Sequence, residues 1–150
     1  MIFQYAHFTR DDIALHGFAK MFKKDSEEER EHAHKFIEYQ NKRGGRVVVQ
    51  DIPKPSDQAW TALEAVKTAL ELEKSIHKTL LELHKMASQH DDAHLSDFIE
   101  GTFLAEQVEA EYQLSSLISK IERVGEKGLG VHIIDQELLK SEWVSMYLIF

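Results

Sequence analysis

Residues 26–45 read SEEEREHAHKFIEYQNKRGG, and the fold class turns on this stretch. Working outward, Phe18, Phe22, Asp25, Glu29, His32, Phe36 and Tyr39 recur at alternating spacings of four and three, the period of a helix rather than a strand. Aromatic residues hold both ends of the stripe, and a carboxylate and an imidazole interrupt its middle. Glu29 and His32 therefore share one face of a long helix, where together they can hold a metal. The competing reading is local: Glu27, Glu28, Glu29, Arg30 and Glu31 form a charge run of the kind that lines a solvated helix face through i,i+4 pairs.

Two more segments repeat the pattern of an apolar stripe broken by a metal-ligating type. One carries Leu63, Val66, Leu70, Glu73, His77, Leu80 and His84, the other Phe103, Gln107, Ala110, Leu114, Leu117 and Ile121. Segments of nearly 30 residues are roughly 40 to 45 Å long at 1.5 Å per residue, which points to a helical bundle. Both prolines, Pro53 and Pro55, fall with Gly44 and Gly45 in the segment 44–59. That connection is too long for a tight turn between neighbouring antiparallel helices, so RVVVQDI is read as an extended crossover rather than a strand without a partner. Ser56 or Asp57 is the expected cap of the helix starting near Trp60, His90–Ala93 the next break, and Gly125, Gly128 and Gly130 the stop.

The chain of 150 residues fits one domain able to bury roughly two thirds of its unfolded surface. Its 26 acidic against 18 basic residues, a formal charge of -8, argue against a nucleic-acid surface and suit cations. There are no cysteines, hence no disulfide framework. Neither a membrane-spanning apolar run nor a basic, apolar leader is visible, so no membrane partner is expected and the location is read as cytoplasmic.

The stretch FTRDDIALHGFAKMFKKDSEEEREHAHKFIEYQNKRGGRVVVQDIPKP, followed by LELEK, LLELHKMA, HLSDFIEG and FLAEQVEAE, resembles the ferritins of animals, of the heavy-chain type. The likeness runs from about Phe8 to Leu139, and the order and spacing of EEREHA, NKRGG, QDI and LLELHK make it specific where a lone Glu-x-x-His would not be. It implies an all-α, ferritin-like four-helix bundle with a long crossover and a short fifth helix, Val131–Leu139. It also implies iron storage: ferrous iron oxidised by dioxygen at a di-iron carboxylate site, and ferric mineral deposited within a shell of twenty-four subunits.

Carried over by motif, Glu29 is the carboxylate bridging two irons, His32 a ligand of the first, Glu73 a ligand of the second, and Gln107 the amide beside the pair that orients water or dioxygen. Carboxylates with one imidazole suit iron in both Fe2+ and Fe3+ states and leave positions open. Glu28 and Glu31 match positions facing the shell interior where mineral nucleates, with an ordinary solvated pair as the alternative; His34 stands where many relatives have another acid. His84, Asp97 and Glu100 match positions lining a threefold pore, where carboxylates repeated by symmetry make a cation funnel. His77, one turn beyond Glu73, is read as a satisfied core histidine and not as a ligand.

Departures from the family lie at both ends. Family members carry a full first helix that supplies one more glutamate ligand, whereas here residues 1–8 are read as its remnant within a single domain 1–150, and Met1 as an internal methionine of a longer protein. Residues 140–150, ending SEWVSMYLIF, are an atypical apolar tail. The alternative to a working ferroxidase is thus a catalytically inactive truncated or spliced subunit that co-assembles with complete ones. A more distant reading keeps the bundle as an interaction module without iron.

Overall fold

The structure, a computed structural model, describes residues 1–52 and 60–141. Among the described residues all regular structure is helical: α1 (Ile2–Phe8), α2 (His16–Lys42), α3 (Ala62–Gln89), α4 (Ala93–Ile99), α5 (Ala105–Val124) and α6 (Leu129–Lys140), with one π-helical turn, Glu100–Leu104, between α4 and α5. The chain forms two compact units. One takes in residues up to 60 and returns with the chain from 132; the other runs from 61 to 131.

In the first unit α1 and α2 are joined by a turn in which Leu15 N donates to Phe8 O (3.2 Å) and Ala14 adopts φ 51°. The Phe8 ring stacks on Phe22 at 5.7 Å and tilts against Phe18 at the same distance; all three side chains are fully buried. With only seven residues, α1 covers the first turns of α2 alone. From Asp25 onward the stripe Asp25, Glu29, His32, Phe36 and Tyr39 is half-buried rather than core.

The start of α2 is closed from far along the chain. Leu15, its N-cap, has no side chain to accept a hydrogen bond. Asp135 on α6 supplies the acceptor instead: its Oδ1 takes hydrogen bonds from Gly17 N (2.7 Å) and Phe18 N (3.1 Å). Gly17 permits the approach, because a Cβ there would lie 1.9 Å from the Asp135 carbonyl oxygen. In return Lys20 Nζ donates to Leu139 O (2.9 Å) and Ser141 O (3.0 Å), closing the last turn of α6. The two helices thus satisfy each other's ends.

In the second unit α3 begins at a capping box. Glu64 N donates to Thr61 Oγ1 (3.2 Å) and Thr61 N to Glu64 Oε2 (2.9 Å). These bonds, the one from the Thr61 backbone foremost, hold the Glu64 carboxyl below its ordinary value. The cap is therefore Thr61, nearer the helix than the expected Ser56 or Asp57, which lie outside the described residues. The expected break after α3 is present: Asp91 takes φ 53° and Asp92 accepts from Leu95 N (3.1 Å) to start α4. Gly125, at φ 88°, ends α5.

Leu63, Val66, Leu70 and Leu80 of α3, and Leu114, Leu117 and Ile121 of α5, are buried as their spacing requires. The connection RVVVQDI is not a strand as far as Ile52, and Val48, Val49 and Ile52 are largely exposed. Residues 53–59, the rest of the expected crossover, and 142–150, most of the expected tail, lie outside the described residues.

Candidate metal centre

Glu73 and Gln107 are buried, at 7 % and 6 % exposure, on facing sides of α3 and α5. Both fall on the stripe because they replace apolar residues at core spacing. Gln107 Nε2 donates to the Glu73 backbone oxygen (3.0 Å) and to the Glu73 carboxylate. A buried carboxylate carries a heavy desolvation cost unless it is paired. The bond from Gln107 supplies the Glu73 carboxylate with such a partner.

Glu29 and His32 lie one turn apart on α2 with Oε2 and Nδ1 4.0 Å from each other, an ion-pair separation longer than a hydrogen bond. Their side chains are 36 % and 22 % exposed. The i,i+3 spacing puts both donors on one face, as a Glu-x-x-His ligand pair requires. Each unit thus brings two of the four expected ligands together. Among the described residues no group of three or more His, Cys, Asp and Glu is arranged to hold a metal ion.

Of the other expected residues, Glu28 is half-buried and Glu31 exposed. Among the described residues Glu28 Oε1 is buried without a hydrogen bond, with Lys24 Nζ 3.8 Å away. His84 Nε2 and Glu100 Oε1 meet at 2.5 Å, and Asp97 is exposed on α4.

Two arrangements escaped sequence reasoning. His77 Nδ1 bonds Glu111 Oε1 at 2.6 Å, so His77 is satisfied as expected, but it is half-buried rather than core, and its partner was not foreseen. No local spacing signalled that partner, because it depends on the register of α5 against α3. The other is Asp135, 2 % exposed, whose partners lie on an element 117 and 118 residues away.

Long helices packed through apolar stripes, with Glu73 and Gln107 buried among them, fit the class of ferritin-like helical proteins. The family model of the ferritin-like domain matches residues 1–124. The chain belongs to the ferritin family. It is 56 % identical over 136 residues to soma ferritin of Lymnaea stagnalis, covering 90 % of this chain and 78 % of that one. With the ferritin middle subunit of Aquarana catesbeiana the identity is 50 % over 140 residues, covering 91 % and 80 % respectively. The crystal structure of ferritin from the green alga Ulva pertusa superposes with a TM-score of 0.85 at 43 % identity, covering 92 % of this chain and 73 % of that one. No helix among the described residues is long and apolar enough to cross a membrane.

Proposed function

We propose that this chain is an iron-storage subunit of the heavy-chain type that oxidises ferrous iron, its substrate, with dioxygen. The observation that carries the reading is the buried Glu73–Gln107 pair in a chain half identical to ferritins. Glu29 and His32 on α2 would bind ferrous iron, and so would Glu73 on α3, with Gln107 beside Glu73 to orient water or dioxygen. The carboxylates favour the oxidised product, because Coulomb attraction to a triply charged ion exceeds that to a doubly charged one. Two ferrous ions give one electron each to one dioxygen, which takes up two protons from solvent and leaves as hydrogen peroxide, and the ferric iron leaves the site for deposition.

His84, Asp97 and Glu100 form the cation entry path in this reading, and Glu28 and Glu31 a nucleation surface. Exposed Val48, Val49, Ile52, Val108 and Tyr112 suit a subunit that buries apolar surface against other copies, in a cytoplasmic shell of the family's twenty-four subunits.

The test is light scattering on the purified chain, then addition of ferrous salt in air with the ferric absorbance recorded. A large assembly that oxidises iron well above the blank, and loses that activity in Glu73→Ala, upholds the proposal; iron-inert material overturns it. The 36 % exposure of Glu29 favours a second reading, a non-catalytic subunit that co-assembles with complete ones. Under that reading the chain enters shells only when co-expressed with a complete subunit and adds no oxidation rate to them.

A further inference from the structure

Glu73 and His77 are neighbours on one face of α3, and Gln107 and Glu111 on one face of α5, each pair a single turn apart. The relative direction of the helices follows from the links beyond these residues. Lys67 pairs with Glu122 at 2.7 Å, and His84 with Glu100 at 2.5 Å, so α5 descends as α3 ascends. In that antiparallel arrangement the order is reversed: going up α3 from Glu73 to His77 corresponds to going from Glu111 to Gln107 on α5. Yet Glu73 bonds Gln107, and His77 bonds Glu111. The two links therefore cross, and because their axial offsets differ by about 12 Å, four residues on each helix at 1.5 Å per residue, more than one short side-chain pair spans, they slope in opposite senses.

One diagonal link lets two helices slide until it slackens. Two of opposite slope do not, because axial slip in either direction stretches one of them. The His77–Glu111 bond is suited to resist such slip, with its atoms 2.6 Å apart and its side chains only 21 % and 26 % exposed. Facing a carboxylate, Nδ1 is the donor, and a bond to a charged acceptor is stronger than a neutral one. Screening is also weaker here than for Lys67–Glu122, whose side chains are 50 % and 51 % exposed.

We propose that His77 and Glu111 are positioning residues for ferrous oxidation, forming the second diagonal of a cross-brace that locks α3 against α5. The brace holds the Glu73 carboxylate and the Gln107 amide in fixed register. This rests on the reading of Glu73 and Gln107 as part of the iron-oxidising centre. A misplacement of about 1 Å at a reacting site costs on the order of a hundredfold in rate, so a partial slip has a large effect even though neither residue touches iron.

The experiment uses His77→Ala, Glu111→Ala and the exchanged pair His77→Glu with Glu111→His in the assembled full chain. Each single variant is expected to lower kcat for ferrous oxidation about tenfold, a partial slip on that scale, with KM much less affected. The exchanged pair, which restores the link, recovers most of the rate. Should His77→Ala fail to fold, His77→Gln, which keeps a donor towards Glu111, is expected to retain most of the rate, and Glu111→Leu, which removes the acceptor at similar volume, to lose it. Wild-type kcat in both single variants, or equal rates in the Gln and Leu variants, overturns the proposal.

A density map of the His77→Ala assembly gives a readout independent of turnover. There the Gln107–Glu73 backbone bond, 3.0 Å in the intact chain, is expected to be broken, and its survival overturns the brace. If the intact chain oxidises no iron, the function reading fails by itself and the map alone decides the brace.

Discussion

Replacing Asp135 with alanine tests the reading that α6 is the N-terminal cap of α2. The Asp135 side chain is buried, and its Oδ1 takes two backbone hydrogen bonds, at 2.7 and 3.1 Å. Deletion orphans the Gly17 and Phe18 amides, both buried, at about 1–3 kcal/mol for each unmet group. Water entering the vacated space relieves part of this, so the expected loss is about 2–4 kcal/mol, at the upper end of or above the usual cost of losing an N-cap. For a chain of this size that is a fall in Tm of roughly 5–15 °C.

Asp135→Asn keeps the acceptor and removes only the charge facing the helix dipole, so it should cost about 1 kcal/mol or less. The assay is thermal and guanidinium unfolding of the three proteins at one subunit concentration, since assembly makes apparent stability concentration-dependent. Equal losses for Ala and Asn, or an Ala variant within about 0.5 kcal/mol of wild type, the range of a neutral surface change, would show that the two bonds do not hold the helix.

Gly17→Ala forces a Cβ to within 1.9 Å of the Asp135 carbonyl oxygen; backbone displacement costs at least about 1–3 kcal/mol, read by the same unfolding series. No loss of stability would mean that α2 and α6 do not approach so closely. Thr61→Ala removes half of the capping box and should cost about 1 kcal/mol, checked by urea unfolding. Glu64 lies below its ordinary value of 4.5 in the folded chain, so its contribution is present above pH 4.5 and is lost as pH falls through the lowered value. Stability curves of wild type and Glu64→Ala should therefore run parallel above pH 4.5 and converge below it; a gap that widens on acidification contradicts the cap geometry.

The sequence legibly carried what is local. The three-four stripes marked the long helices, because a helix exposes its period within any two turns, and the π-helical turn Glu100–Leu104 did not obscure the stripe that follows it. Burial was legible where α5 lies against α3, at Leu63, Val66, Leu114 and Ile121. It was misjudged along the middle of α2, where periodicity identifies a face but not the length of whatever covers it. Glu29 and His32 consequently sit less deeply than their stripe implied.

By itself, the order of residues determined the helical class, the family and the pairing of Glu29 with His32, all encoded by short spacings or contiguous motifs. Tertiary structure alone decided that Asp135 caps α2 across 118 residues, that Gly17 admits it, and that His77 finds Glu111 while Glu73 finds Gln107. The physical reason is that such contacts depend on the axial register of packed helices. Side-chain interdigitation over a whole interface sets that register, and no local spacing in either helix records it.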